Sequence, residues 1–509
     1  MSDAPISRLR SARISPATRC RASRGSLRVG CGTTHRSRRL NPGAAFAVLI
    51  LLFVGLAAAG CGERPTMKLL VIGVDGATWD VIDPLLAEGR LPAIQALLDR
   101  GARGTIVARG VLKSPVIWTT IATGREPEDH GINDFLVDGV PVGSNLRRCP
   151  AVWNIVSDER PDLTVGTTGW YVTWPVESIN GFMISDRLLL EGLDRRYSPA
   201  QFDGLVPLES AWNPVAPAET GRVGRFTPLR FDPRSGRKDA GDPEALANSL
   251  VNYRLARPYA QDETYTRVAE TLQERWQPDL HLTYFIGVDF TSHGFWLDAF
   301  PEQFGDGAGR QPDPRLAEII PRYYEYADEI IGRLIAAAGP ETTVILLSDH
   351  GFGAADEEYP MPLEYWYLTG SHRAEGVVIA AGPGIRRGAT LENPSHLDFA
   401  PTVLALLGIP PGEEMAGRVW TEMLEPAVAD RLPLERSRRY DQDWTWQPAP
   451  IATVQDPEIL DRLRALGYIP PEPRTPPPVQ TPVYSDGFEG GSSSAWDSTA
   501  EPSPPAGRD

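Results

Sequence analysis

Three apolar runs in this chain end on an aspartate: "VIGVDG" from Val71, "FIGVD" from Phe285 and "VILLSDHG" from Val344. The runs are uninterrupted where a half-exposed strand would alternate. Continuous apolar strands are covered on both faces, the pattern of a parallel sheet between helices. The first, Leu69 to Val74, passes through a polar turn into a stretch with apolar residues three and four apart, so a buried strand feeds a helix. Further runs span Leu280 to Asp289, Thr342 to Asp349 and Glu375 to Pro383, and helical periodicity separates them, as in Asp262 to Trp276. Strands alternating with helices predict an α/β sandwich.

Several stretches lie outside that pattern. Residues 1–42 hold ten Arg and one Asp, so the rest of the chain carries about nine more negative charges than the formal net of -16. That acidity argues against a stable nucleic-acid partner. Gly43 to Pro65 is an apolar run closing on Ala59-Gly60-Cys61, too short and too rich in small residues for a comfortable transmembrane helix. It reads as a signal peptide, with an uncleaved membrane anchor as the alternative. Its end resembles a bacterial lipobox with Cys61 as the lipidated residue, although Ala58 stands where Leu is usual. Either reading places an exported protein at a membrane, on the periplasmic or cell-surface side. With Cys20 and Cys31 in the leader and Cys61 lipidated, Cys149 has no disulfide partner. The expected organisation is a leader, anchor and linker over 1–66, a core over 67–187 and 259–425, a cap-like insertion over 188–258, a C-terminal extension over 426–469, and a disordered Pro, Ser and Gly-rich tail over 470–509.

In open α/β sheets ligands bind beyond the carboxyl ends of the strands. Asp75 follows the first run, Asp289 and His293 another, Asp349 and His350 a third, and His372 lies just before a fourth. Taken singly, a strand-end aspartate is usually a turn former or cap. Together, three Asp and three His supply ligands for two divalent cations, with zinc the natural match and Mn or Fe acceptable. A hydroxyl is available in "LKSPVIWTTIATG": Ser114-Pro115 reads as a helix N-cap followed by Pro at the first helical position. There the serine oxygen would overlie free first-turn amides that favour a phosphate or an alkoxide.

In the order "GVDG", a Ser/Thr helix start with TG-x-x-P-x-x-H-G-I, Asp-x-x-x-His, "SDHG" and a late His before "GPG", the chain resembles the type I phosphodiesterase and nucleotide pyrophosphatase family of the alkaline phosphatase superfamily. The likeness runs from about Lys68 to Trp420. It implies an alkaline-phosphatase-like three-layer sandwich with a mostly parallel central sheet. It also implies one cation on Asp75, Asp349 and His350 that bridges to Ser114, and a second on Asp289, His293 and His372. Ser114 becomes the nucleophile that forms and then loses a phosphoryl group.

The substrate expected is a small-molecule, lipid or glycan phosphate ester, most naturally a diester or pyrophosphate. A phosphomonoesterase, a sulfatase-like hydrolase and a non-catalytic surface lipoprotein are the alternatives. Two departures bear on specificity. Pro115-Val116-Ile117 lacks the Asn that pyrophosphatases of the family carry after the nucleophile, and Trp170, Tyr171 and Trp174 either stack a flat group or pack in the core. His130, in "EDHGI", is expected to be structural.

Overall fold

The computed structural model describes residues 67–188, 196–197, 223–229, 242–305, 310–355, 367–445 and 456–465. The Arg-rich leader with Cys61, most of the 188–258 insertion and the 470–509 tail lie outside the described residues. Among the described residues, no helix is long and apolar enough to cross a membrane.

The strands that build the fold are β1 (Lys68–Val74), β2 (Gly101–Val107), β3 (Val165–Thr168), β4 (Gly181–Ile184), β5 (Arg196–Tyr197), β6 (Leu280–Phe285), β7 (Thr342–Leu347), β8 (Gly351–Ala354), β9 (Gly370–Arg373), β10 (Glu375–Ala381) and β11 (Ala389–Thr390). Nine of them form one sheet in the order β11-β2-β10-β7-β1-β6-β3-β4-β5. Its centre is parallel: β1 pairs with β6 and β7, and β3 pairs with β6 and β4, all in the same direction. β10 runs antiparallel to both β7 and β2. Its apolar run looks like the parallel ones in sequence because continuity reports burial on two faces and says nothing of direction.

Alternation along β1 divides the core. Leu70, Ile72 and Val74 pack into one apolar cluster, with helices α1 (Trp79–Ala87), α3 (Arg257–Trp276), α4 (Gly287–Ala299) and α5 (Ile319–Ala338). Leu69 and Val71 pack into another, with α2 (Ser114–Thr123) and α6 (Phe399–Leu406). Helices on both faces of a mostly parallel sheet make the expected three-layer sandwich. Within the 188–258 stretch, Val223 and Phe226 are buried in the first cluster. Among the described residues an α-helix runs over Pro243–Leu250, passes through a π segment over Val251–Ala256 and continues into α3. Pro258 thus sits in the first turn of α3, where the break in the i→i−4 ladder leaves room for a residue with no amide hydrogen.

This topology brings the expected ligands to one edge. β1 and β7 are parallel, so Asp75 and Asp349 emerge on the same side of the sheet. Because β10 is reversed, its start lies at that edge too, and so does His372 just ahead of it. The β8–β9 hairpin pairs Phe352 with His372 and so ties the segment after His350 to the late histidine.

Candidate metal centre

Asp75 is fully buried at the end of β1. One carboxylate oxygen, Oδ2, accepts from the Tyr284 hydroxyl at 2.6 Å and from Trp118 Nε1 at 3.1 Å. The other, Oδ1, is buried with no hydrogen-bond partner. Asp349 repeats the arrangement: Oδ1 accepts from the Gly76 amide at 3.3 Å, and Oδ2 is buried without a partner. His350 Nδ1 lies 3.0 Å from the Gly351 carbonyl, which can only accept, so Nδ1 carries the proton and Nε2 presents a lone pair. That Nε2 is likewise without a hydrogen-bond partner, 3.4 Å from both Asp75 Oδ1 and Asp349 Oδ2.

Three orphaned buried acceptors therefore face one another across a common point. Such atoms are costly unless a cation completes them, so the donor set fits a divalent metal with mixed carboxylate and imidazole ligands. The backbone permits this crowding at Gly76: its φ is +70°, and a Cβ there would stand 3.2 Å from the Asp289 Cα.

The second set comes from α4 and the hairpin. Asp289 lies in the first turn of α4 and His293 one turn on, on the same helix face. Asp289 Oδ1 is 3.1 Å from His372 Nε2 and 3.6 Å from His293 Nε2, and the two imidazole Nε2 atoms are 3.0 Å apart. His293 Nδ1 donates to the Gly370 carbonyl and His372 Nδ1 to the Leu112 carbonyl, each at 2.9 Å. Both Nε2 atoms therefore aim inward, and two lone pairs at that distance require a proton or a cation between them. Gly370 allows the approach to α4, since a Cβ there would lie 2.2 Å from the Ser292 carbonyl. His350 Nε2, 3.9 Å from Asp289 Oδ1, stands between the two sets, and its ring stacks on His372 at 3.7 Å.

Electrostatics follow the same division. Burial, then the Asp349 and Asp289 charges, push Asp75 well above the carboxylate range, and burial with Asp289 pushes Asp349 up to about 8. Asp289 stays below its ordinary range despite burial, because His293, His372 and His350 face it. Burial drives His293 down to about 3 and His350 well down, whereas Asp289 holds His372 up against burial. Three buried carboxylates faced mainly by imidazoles, with the buried Arg254 acting on His293, are a site short of positive charge.

Ser114 is buried at the start of α2, and here the expected cap is corrected. The cap position belongs to Lys113, Ser114 is the first helical residue, and no side-chain capping bond is made. Nor is the first turn an open anion cradle. Pro115 has no amide hydrogen, and the Val116 and Ile117 amides bond to the Lys113 carbonyl at 3.0 and 3.1 Å. What ties this segment to the ligands is the pair of residues that flank the serine. Two residues before it the Leu112 carbonyl holds His372, and one turn after it Trp118 holds Asp75, so the segment that carries Ser114 touches both sets.

The three aromatics separate. Trp170 is fully buried edge-on to Trp118, and Trp174 lies under the Arg187 guanidinium. Tyr171 alone of the three lines a partly open cavity, together with Tyr284 and Phe290. His130 accepts from the Ile132 amide and donates to Thr120 Oγ1 at 3.0 Å, a structural role, and burial lowers its pKa to about 3.

Trp118, Tyr284 and the Leu112 and Gly370 carbonyls were not among the residues singled out in the sequence. The spacing of four between Ser114 and Trp118, one helical turn, was the available signal for the first.

A family model described as type I phosphodiesterase / nucleotide pyrophosphatase matches residues 69–439. No curated protein matches the chain. Among solved structures, human ectonucleotide pyrophosphatase/phosphodiesterase 5 aligns at 14% identity over 72% of this chain and 100% of its own, with a TM-score of 0.40. A variant of the alkaline phosphatase PafA aligns at 15% identity over 72% of this chain and 100% of its own, TM-score 0.43. Phosphonoacetate hydrolase from Sinorhizobium meliloti aligns at 14% over 58% of this chain and 59% of its own, TM-score 0.35.

Proposed function

Since the chain belongs to the type I phosphodiesterase / nucleotide pyrophosphatase family and is a hydrolase of phosphate esters, we propose that it cleaves phosphodiesters or pyrophosphates through a phosphoserine at Ser114. Asp75, Asp349 and His350 would hold one divalent cation, with Ser114 Oγ as a further ligand, and Asp289, His293 and His372 a second. Zinc suits both donor sets best. The chemistry such cations supply when bound is charge neutralisation and polarisation of a phosphoryl oxygen.

The chain's own residues do the rest. Tyr284 and Trp118 fix the Asp75 carboxylate so that Oδ1 faces inward. The Leu112, Gly370 and Gly351 carbonyls fix three imidazoles in one tautomer. Ser114 Oγ, on the segment whose Leu112 and Trp118 touch the two sets, forms the bond to phosphorus as the bond to the leaving oxygen breaks. Its hydroxyl proton balances the one gained by the departing alcohol. Water then cleaves the phosphoserine and restores the hydroxyl. Phosphoryl transfer asks mainly for positioning and charge neutralisation, which this arrangement offers.

The reading rests on the convergence of Asp75 Oδ1, Asp349 Oδ2 and His350 Nε2, all buried and without hydrogen-bond partners. A diester is favoured over a monoester because the cavity beside Tyr284 gives a second substituent somewhere to go. The N-terminal tether, with export to the periplasmic or cell-surface side, is proposed from the sequence of residues 43–65 alone. The test is hydrolysis of bis(4-nitrophenyl) phosphate. Chelation should abolish it, and Ser114→Ala should lower it by at least about a thousandfold. Hydrolysis that survives both would sink the mechanism.

A further inference from the structure

The family match ends at residue 439, yet the chain beyond it stays on the catalytic unit. The Tyr440 hydroxyl donates to the Pro410 carbonyl at 2.8 Å, Asp441 takes a charged hydrogen bond from Arg125 at 2.8 Å, and Trp444 Nε1 donates to the Arg147 carbonyl at 3.2 Å. Arg125 is nearly buried and follows the end of α2, so the extension is fastened to the helix that begins with Ser114. Past it comes α7 (Asp456–Ala465). Its Ile459 and Leu463, one turn apart on one face, line the same cavity as Tyr171, Tyr284 and Phe290, and Leu463 is buried there.

That cavity adjoins the site directly. The Tyr284 that lines it is the residue whose hydroxyl holds Asp75, and Phe290 follows Asp289 in the chain. The cavity is partly open to solvent, so a flat substituent on phosphorus could extend along it. The lining is chiefly apolar and aromatic, with Tyr171 and Tyr284 set edge-to-face at 5.6 Å, and Asp186 and Arg187 are among its few charged groups. We propose that α7 is a specificity element: Ile459 and Leu463 complete the pocket for the second substituent on phosphorus and select esters in which that substituent is flat and apolar or aromatic. The proposal rests on the reading of Ser114 and the two ligand sets as the phosphoryl site.

The test compares bis(4-nitrophenyl) phosphate with methyl 4-nitrophenyl phosphate, which share a leaving group and differ in the second substituent. In the full-length protein, the I459A/L463A double variant removes the wall and Leu463→Trp fills the space behind it. In both, the ratio of kcat/KM for the aryl ester to that for the methyl ester should fall at least about tenfold, because pocket truncations and clashes of this size discriminate on that scale. A ratio unchanged in both variants, in an enzyme that hydrolyses both esters, overturns the role of α7 and leaves the phosphoryl site standing. Failure of the wild type to hydrolyse either ester overturns both. Should the variants fail to fold, amide hydrogen exchange of residues 456–465 in the wild type decides the matter: it should slow when phenylphosphonate binds, and unchanged exchange at saturating ligand overturns the proposal.

Discussion

The two ligand sets are built differently. Asp75 and Asp349–His350 hang on the ends of adjacent parallel strands, their outward oxygens fixed by Tyr284, Trp118 and the Gly76 amide, and their inward atoms are left without hydrogen-bond partners. Asp289, His293 and His372 come from a helix and a hairpin, and they contact one another at 3.0 to 3.6 Å. The first set is rigid and incomplete. The second can close on itself through a proton on His372, which Asp289 favours. A preorganised set holds its geometry whether or not a cation is present, whereas a self-satisfied set must give up internal hydrogen bonds to bind one.

The strand-borne set should therefore carry the tighter cation and suffer most from mutation. Asp349→Ala should cut phosphodiester hydrolysis by at least about a thousandfold and leave at most one cation per chain by elemental analysis. His293→Ala, in the softer set, should cost about a hundredfold and leave the first cation in place. Equal losses of metal in both variants would break the distinction. Trp118→Phe keeps the ring packing against Trp170 and Tyr284 but removes one hydrogen bond to Asp75. It should lower activity about tenfold and weaken metal retention, with the unfolding midpoint little changed.

The smallest effect concerns how the helix-borne set is supported. Asp262 accepts from the Ile286 and Gly287 amides and from Tyr323, holding the start of α4, and burial raises its pKa to about 7. The folded protein then binds a proton there that the unfolded chain, at about 3.9, has released. Stability should fall as pH rises between about 4 and 7, with a slope of up to about 1.4 kcal/mol per pH unit from this group. Asp262→Asn should flatten that slope in denaturant unfolding and leave activity within about threefold of wild type. A slope as steep in the variant would remove Asp262 as its source.

Asp75 and Asp349 were legible because a continuous apolar run and its abrupt end are local signals, and the sheet rule says what lies beyond them. The run expected to reach Asp289, by contrast, stops as a strand at Phe285, and Asp289 lies in the first turn of α4. Apart from the family motif, His372 reads only as a histidine before a strand, since the reversal of β10 that brings it to the same edge leaves no mark in a run buried on both faces. Ser114 reads in the sequence as the hydroxyl of the family motif and also as a cap, which it is not. Its segment is tied to the ligands through the Leu112 carbonyl and Trp118, contacts made with residues some 260 and 43 positions away in the chain. Trp170, Tyr171 and Trp174 read alike in sequence and part only in three dimensions, two packed inside and one lining the cavity. The docking of α7 against that cavity was beyond sequence reading too. Two apolar residues four apart give a helix a sticky face but do not say what it meets.

The central claim is that Asp75 Oδ1, Asp349 Oδ2 and His350 Nε2 are orphaned because a divalent cation belongs between them. Anomalous diffraction at the zinc edge from zinc-soaked crystals tests this directly. A peak at about 2.0–2.2 Å from all three atoms is the expected result. Crystals that still turn over a phosphodiester with no anomalous density touching these atoms would contradict it.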